Sequence, residues 1–168
     1  MKIDILFVDM ALLALVIVPY VIFIFVRSKT ATKCRKEFNR IAAENSLIIN
    51  EKESWNKNLI GLDRSKEKLL LVQYKSEEPV SELMDLKMLK SCTVLSDTEN
   101  QVVNGKPEEI LKRVSLQLCF LNSAEKKLLR LYDHDVDVNQ DYELKRAQKW
   151  NALVNEVLKA RPVIKRAA

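Results

Sequence analysis

The chain has 168 residues, a net charge of +5, 2 glycines, 4 prolines and 30% charged residues, which excludes a low-complexity or collagen-like polypeptide. The basic excess lies in two flanks, with six basic and two acidic side chains in residues 27–46 and four basic side chains in residues 159–168. Residues 47–158 carry 17 basic and 19 acidic side chains. Because a nucleic-acid-binding domain places its basic stripe on the folded body, we expect no nucleic-acid partner.

Residues 5–26 form an apolar run whose one charged side chain is Asp9. At the helical rise these residues span about 33 Å, enough for a hydrocarbon core of about 30 Å. A cleavable secretion signal needs a positive start and a small-residue cleavage site, whereas Lys2 is opposed by Asp4, and Arg-Ser-Lys-Thr follows the run. We therefore predict a single-pass transmembrane anchor at residues 1–26, with a buried helix of a soluble protein as the alternative.

A basic, amphipathic segment follows the predicted anchor. Cys34, Phe38 and Ile41 recur at helical spacing, which predicts a stalk helix over residues 27–46. The positive-inside bias predicts that the N-terminus lies outside the cell membrane and the following domain in the cytoplasm. Basic side chains next to an anionic leaflet are attracted to it. The predicted membrane-surface contacts are Arg27, Lys29, Lys33, Arg35 and Lys36.

Three cysteines, Cys34, Cys92 and Cys119, stand at wide spacing without a C-x-x-C motif. An odd number of widely spaced cysteines favours reduced thiols in a cytosolic milieu. Cys34 has two interpretations, a small side chain on a helix or a lipidated juxtamembrane thiol, and the first is favoured.

Beyond residue 46 the apolar pattern shortens to runs typical of antiparallel strands separated by polar turns. The six runs are LIINEKESW, KNLIGLD, KLLLVQY, LKSCTVLS, VSLQLCFL and KLLRLYD. ELMDLKML is predicted to be irregular or helical, or else a seventh strand. Asn104-Gly105 is a turn signal in the longest predicted loop.

The chain closes with a predicted helix from about Asn139 to Ala160, which Asn139 caps and Pro162 stops. Spacings of three and four residues give this helix one apolar face that is expected to lie on the sheet. The face consists of Ala147, Trp150, Val154 and Val157. Trp150 is therefore predicted to be a core residue, whereas Trp55 is undecided between core and binding surface.

Three segments, NLIGLDRSKEKLLLVQY, VSLQLCFLNSAEKKLLRLY and YELKRAQKWNALVNEVL, together resemble uncharacterised bacterial membrane-anchored proteins with a pleckstrin-homology-like domain. The resemblance covers residues 47–160. It implies a seven-stranded bent sheet or barrel closed at one end by the C-terminal helix. It supplies no functional residues.

The stretch YDHDVDVNQD spaces Asp133, Asp135 and Asp137 like the ligands of a calcium loop. Val138 stands where that loop needs a glycine, and Leu144 where it needs a bidentate glutamate. The same acidic residues suit the approach to a helix N-terminus, which is the favoured interpretation. We predict no metal and no cofactor.

His134 is the one histidine of the chain, so a multi-histidine metal site is excluded. The sequence has no glycine-rich phosphate loop and no nucleophile elbow. No catalytic residue is predicted, and a hydrolase built around His134 is the weakest alternative.

Two predicted hairpins, LDRSKEKLLLVQY and LNSAEKKLLRLY, have nearly the same text and carry lysines in or beside their turns. Solvated turns are the favoured interpretation of these lysines, because glutamates are interleaved with them, and headgroup or partner contacts are the alternative. The lysines are Lys66, Lys68, Lys126 and Lys127.

The sequence thus predicts an α+β protein with an anchor (1–26), a stalk (27–46), a pleckstrin-homology-like domain (47–160) and a basic tail (161–168). The domain is expected to fold without residues 1–46. Its expected role is non-enzymatic, presenting a sheet edge or barrel rim to a protein partner. A lipid-headgroup sensor is the main alternative. The identity of the partner and the oligomeric state are left open.

Overall fold

A computed structural model describes residues 2–75, 78–103, 106–121, 123–137 and 142–161, with residues 2–9, 11, 22–29, 101, 103 and 108 described by their backbone alone. A long helix, α1, precedes seven strands, and a second helix, α2, follows them. The elements are α1 (Lys2–Glu44), β1 (Glu51–Trp55), β2 (Asn58–Asp63), β3 (Lys68–Lys75), β4 (Glu78–Asp85), a 3-10 turn (Leu86–Met88), β5 (Leu89–Val103), β6 (Lys106–Phe120), β7 (Lys126–Asp133) and α2 (Glu143–Lys159).

The strands form two antiparallel sheets, the first in the order β1-β2-β3-β4 and the second in the order β5-β6-β7. The predicted α+β class is confirmed. The predicted barrel is wrong in that neither sheet closes on itself. In the described part of the second sheet, β7 is a terminal strand, and a register shift leaves its Leu131 unpaired with β6. The carbonyls of Arg130 and Leu131 accept hydrogen bonds from Gln73 and Trp55, two side chains of the first sheet.

The main core lies between the two sheets and α2. Leu69 and Leu71 of β3 face this core, whereas Leu70 and Val72 face the opposite side of the same strand. Burial on both faces explains why KLLLVQY reads as a continuous apolar run instead of an alternating one. Trp150 is fully buried in the main core, as predicted.

Helix α1 covers the outer face of the first sheet. Cys34 and Phe38 are buried there against Leu59, Leu70 and Val72. The predicted anchor and stalk are one continuous helix, with no break in the backbone at residues 26–27. Within the part of the chain that the structure describes, no helix is long and apolar enough to cross a bilayer.

Gly61 makes this helix packing possible. A Cβ atom built on Gly61 would lie 2.5 Å from Cζ of Phe38 and 3.1 Å from Cγ2 of Ile49. Real Cβ atoms do not approach other carbons so closely, because overlap at this distance is strongly repulsive. The glycine therefore lets the Phe38 ring lie directly on the backbone of β2.

Several predicted boundaries differ from the structure. ELMDLKML is divided between the end of β4, the 3-10 turn and the first residue of β5. The segment around Asn104-Gly105 is not a long loop, because β5 and β6 stay paired as far as Val103 and Lys106. Helix α2 begins at Glu143, after Tyr142 with a φ of 52°, and not near Asn139, which lies outside the described residues.

Candidate functional site

The four hairpin lysines do not form one binding site. The Lys66 ammonium donates to the carbonyl of Asn45 (3.0 Å), at the C-terminal end of α1. Lys127 forms an ion pair with Glu82 of β4 (3.0 Å). Lys126 is exposed, and Lys68 lies opposite Asp85 at the start of β3. Two of the four cations are thus already engaged by the fold.

The basic residues of α1 are distributed around the helix. Lys33, Arg35 and Lys36 are exposed, and the Lys33 ammonium lies 5.9 Å from the centroid of the Tyr74 ring. The side chains of Arg27 and Lys29 lie outside the described part of the structure. Whether this group of residues contacts a membrane surface stays a prediction.

The acidic stretch after β7 is a self-contained turn. The backbone N–H of Asp133 donates to Oδ2 of Asp137 (2.9 Å), and the N–H of Asp135 donates to Oδ1 of Asp133 (3.2 Å). The Arg130 guanidinium donates to Oδ2 of Asp133. Residues 138–141 of the calcium-like stretch lie outside the described residues. Among the residues that are described, no group of three His, Cys, Asp or Glu side chains is placed to hold a metal ion.

His134 stands at the exposed end of β7. Its ring Nδ1 lies 3.4 Å from the Tyr132 hydroxyl, and its backbone N–H donates to the carbonyl of Lys112 (2.9 Å). The carboxylates of Asp133 and Asp137 accept hydrogen bonds from backbone N–H groups, and that of Asp133 also from Arg130. These contacts attach His134 to the end of β7, next to the Tyr132 hydroxyl.

Trp55 belongs to the core, which resolves the choice left open by the sequence. It is 6% exposed, and its indole N–H donates to the carbonyl of Leu131 (3.2 Å). The Arg146 guanidinium lies 4.8 Å from the centroid of its ring. Trp55 therefore joins the first sheet to β7 and to α2, and it is not a binding aromatic.

The edge of β5 opposite β6 is covered at one point by α2. The Asn155 side-chain amide donates to the carbonyl of Cys92 (2.8 Å), and its Oδ1 accepts from the N–H of Cys92 (3.3 Å). One side chain thus takes the place of a neighbouring strand at this residue. Because outward-pointing residues alternate in an antiparallel pair, the next outward N–H and C=O groups belong to Val94, Ser96, Thr98, Asn100 and Val102.

The outer half of this edge extends beyond the core. Residues 95–100 are exposed, and Val102 is 75% exposed. In the described part of the second sheet, β5 is a terminal strand with β6 on one side only. We call residues 94–102 the β5 edge. It offers a row of backbone donors and acceptors to another chain.

A cleft of about 490 Å³ opens at the corner where the β1–β2 turn, the end of β3 and the end of β7 meet. Its floor and walls combine polar, aromatic and apolar side chains. The lining residues that carry the chemistry are Lys57, Gln73, Lys75, Arg130, Asp133 and Asp137. The three cations and two carboxylates leave the lining with one excess positive charge.

Gln73 lies at the bottom of this corner cleft. Its side-chain Nε2 donates to the carbonyl of Arg130 (2.8 Å) and to Oδ1 of Asn58 (3.3 Å). The carbonyl can only accept, so it fixes the orientation of the amide. Oε1 is then buried without a hydrogen-bond partner, although Gln73 is only 6% exposed. A buried acceptor without a donor is rare in folded proteins.

Burial disfavours the charged form of two acids in the lining of this cleft. Burial raises the pKa of the Asp137 carboxyl, and the nearby Asp133 carboxylate raises it further, against the opposing effect of Lys57. Burial likewise raises the pKa of the Tyr132 hydroxyl, with a contribution from Asp137. The corner cleft is therefore a desolvated environment at its base and a cationic one at its mouth.

Sequence reasoning did not single out Gln73. The available signal was one amide inside KLLLVQY, an apolar strand that is buried on both faces. Its partner carbonyl, on Arg130, stands 57 residues further along the chain. No sequence pattern links these two positions.

Comparisons with known proteins give no relative. No protein-family model, no curated protein and no solved structure matches this chain.

Proposed function

We propose that this protein is a membrane-tethered, non-enzymatic binding module with a pleckstrin-homology-like domain, and that a protein partner adds a strand to its β5 edge. The tether is α1, with the N-terminus outside and the domain in the cytoplasm. The observation that carries the proposal is the β5 edge, which is exposed and has a paired strand on one side only. An added strand gains its affinity from backbone hydrogen bonds, so it needs no side-chain signature.

The element order supports the choice of domain. A four-stranded antiparallel sheet, a three-stranded antiparallel sheet and a C-terminal helix follow one another along the chain. Seven strands agree with the number that the resemblance implies. The open sheets differ from a closed barrel, and this difference is what leaves strand edges accessible.

The exposed surface of α1 supports the choice of tether. Every residue from Leu12 to Val21 is exposed, and nearly all of them are apolar. A helix that is apolar on all sides is typical of a protein interior or a lipid environment. Among the α1 side chains that the structure describes, Thr30 is the first that is buried. A lipid environment for residues 12–21 removes this apolar surface from water.

The other edges of the sheets support the choice of β5. The β7 carbonyls at Arg130 and Leu131 are already bonded to side chains. Strand β4 contains Pro79, which has no N–H to donate. The hairpin lysines are less favoured as a headgroup site, because Lys66 and Lys127 already have partners.

A proline scan of the β5 edge tests the proposal. Proline at Thr98 or Asn100 removes one outward N–H and leaves the hydrogen bonds to β6 intact. We expect a photocrosslinker at Val102 of the full-length protein, in its own membrane, to capture a partner. Thr98→Pro and Asn100→Pro should each reduce that capture at least tenfold.

Thr98→Val is the matched control, because it keeps the backbone N–H and the branched shape of the side chain. The fluorescence of the buried Trp55 and Trp150 reports whether each variant is folded. Unchanged capture in both folded proline variants would contradict the proposal, as would the same captured protein with residues 1–46 alone.

A further inference from the structure

A cleft opens on one face of the β5 edge, between the β5–β6 hairpin and the start of α2. Its volume is about 770 Å³, and its lining on the β5 side includes Ser96 and Thr98. Leu111 of β6 also lines this cleft, together with Tyr142 and Leu144, which are 75% and 42% exposed. We call this space the hairpin cleft. It keeps apolar side chains in contact with water next to an open strand edge.

The opposite face of the β5 edge is acidic. Successive side chains of a strand point to opposite faces, so Asp97 and Glu99 lie on the face away from the hairpin cleft. Both are exposed, and the β5 edge contains no basic side chain. On the β6 side, Lys112 forms an ion pair with Glu99 (3.2 Å), whereas Arg113 forms its ion pair with Asp133 (3.8 Å). A strand added on the open side of β5 therefore has acidic neighbours on this face.

These acids disfavour a second copy of this chain as the added strand. Two β5 edges related by a two-fold axis would pair antiparallel. With the axis at Thr98, Asp97 of one copy faces Glu99 of the other, and with the axis at Asp97 or Glu99 that acid faces itself. Like charges directly opposite each other destabilise a strand pair, whereas opposite charges stabilise it. A different strand, with basic side chains at these positions, gains where a second copy loses.

An added strand meets both faces of the β5 edge at once. Its residues opposite Ser96 and Thr98 place their Cβ atoms about 4.5–5.5 Å away, on the side of the hairpin cleft. Its alternate residues lie on the side of Asp97 and Glu99. The first set can bury apolar surface against Leu111 and its neighbours in the cleft, and the second set can form cross-strand ion pairs.

On the basis of the strand addition proposed above, we propose that the partner's strand alternates apolar and basic side chains. Its apolar side chains enter the hairpin cleft, and its lysines or arginines face Asp97 and Glu99. Backbone hydrogen bonds to the β5 edge give general affinity for an extended chain, and the two different faces select this pattern.

Nuclear magnetic resonance of the full-length protein in a nonionic detergent tests this preference through the backbone amide signals of Thr98 and Asn100, whose N–H groups point outward. The probes are three heptapeptides with blocked ends, Lys-Val-Lys-Val-Lys-Val-Lys, Glu-Val-Glu-Val-Glu-Val-Glu and Lys-Ser-Lys-Ser-Lys-Ser-Lys. The first should bind about tenfold more tightly than the second, because two cross-strand pairs change from opposite to like charge. It should also bind about tenfold more tightly than the third, which brings no apolar side chain to the hairpin cleft. No shift with the first peptide, or equal affinity for either of the others, would overturn the proposal.

Variants of the two faces test each requirement separately. In the double variant Asp97→Asn, Glu99→Gln, the preference for the lysine-valine over the glutamate-valine peptide should fall to about twofold. Leu144→Ser should weaken binding of the lysine-valine peptide about threefold and leave the lysine-serine peptide unchanged. Glu51→Gln, an exposed acid outside the β5 edge, is the matched control and should bind all three peptides as the natural protein does. An unchanged preference in the double variant would contradict the proposal.

Thr98→Pro distinguishes a failure of this inference from a failure of the proposed function. It removes an outward N–H and should abolish binding of every peptide that adds a strand to the β5 edge. If the three peptides bind equally and Thr98→Pro abolishes all of this binding, strand addition is supported and the alternating pattern is wrong. If Thr98→Pro leaves the binding unchanged, the peptides lie elsewhere and the inference is overturned, while capture of a partner at Val102 tests the proposed function independently.

Discussion

Glu53 connects strand β1 to helix α2 through one carboxylate. It accepts hydrogen bonds from Nε of Arg146, Nζ of Lys149 and Nε1 of Trp150, each at 2.9 Å. Burial alone would raise the pKa of this carboxyl, but the three donors outweigh it and hold the pKa below its usual value. The ionised form is therefore the one that stabilises the fold.

Replacing Glu53 with Gln should lower the free energy of unfolding by about 1–3 kcal/mol, because three donors lose a charged acceptor while Arg146 keeps its ion pair with Glu143. Urea unfolding followed by tryptophan fluorescence measures the change. Because the folded-state pKa is lowered, this contribution is present above pH 4.5 and is lost as the pH falls through the folded-state value. Glu51→Gln, at an exposed pair with Arg64, is the control and should cost less than about 0.5 kcal/mol. Equal losses in the two variants would mean that Glu53 is an ordinary surface charge.

Gly61→Ala should lower the free energy of unfolding by about 1–3 kcal/mol, since the new methyl group overlaps the Phe38 ring. Phe38→Leu in the same protein shortens the side chain at the point of overlap and should recover part of that loss. A double-mutant cycle by urea unfolding measures this coupling. Strictly additive effects of the two substitutions would show that the ring does not rest on Gly61.

At the scale of whole elements, each helix packs on a sheet: α1 covers the outer face of the first sheet, and α2 packs in the main core between the two sheets. Phe38 is 1% exposed, and it covers β-strand residues that would otherwise face water. The sequence predicted that the domain folds without residues 1–46. The packing of α1 leads us to a different expectation for that fragment.

A fragment of residues 47–168 should be less stable than one of residues 30–168 by about 3–6 kcal/mol, because it uncovers Leu59, Leu70 and Val72. Denaturant unfolding of both fragments measures the difference. Phe38→Ala in the longer fragment should reproduce about 3–5 kcal/mol of it. Coincident unfolding curves of the two fragments would mean that the domain begins at residue 47, as the sequence predicted.

The elements that the sequence predicted well are those whose residues are buried in a periodic pattern. Helix α2 was predicted from the spacing of its apolar face, and β6 from the alternation of Val114, Leu116 and Leu118. Strand β4 was predicted only in its second half, within ELMDLKML and as an alternative to irregular or helical structure, because Pro79 and Glu82 break the alternation in this edge strand. The outer parts of β5 and β6 pair with each other but stay exposed. Their sequences therefore lack the alternation of apolar and polar residues that predicts a half-buried strand.

The candidate sites were harder to predict than the strands. The hairpin lysines were selected because they cluster at predicted turns, yet their actual partners, Asn45 for Lys66 and Glu82 for Lys127, lie far away in the chain. Gln73 became notable only through a carbonyl on another sheet. Tertiary contacts of this kind are set by the packing of the sheets, which short motifs do not encode.

For the molecule as a whole, the predicted topology places the N-terminus outside and the domain in the cytoplasm. In intact cells, an external protease should remove an N-terminal epitope tag and leave the domain intact. Permeabilised cells should lose both. Digestion of the domain in intact cells would reverse the orientation, and protection of both ends would argue against a single crossing.

Because α1 runs without a break from Lys2 to Glu44, it fixes how the domain is rotated about the helix axis relative to residues 2–29. Each residue of a helix turns the chain by about 100°, so the number of residues before Thr30 sets the direction in which the β5 edge points around the helix axis. Two alanines inserted after residue 29 turn the domain by about 200°, whereas seven turn it by about 700°, close to two full revolutions. Binding of a partner embedded in the same membrane would be lost with two inserted residues and regained with seven. Binding of a partner that diffuses freely in solution would not change with either insertion.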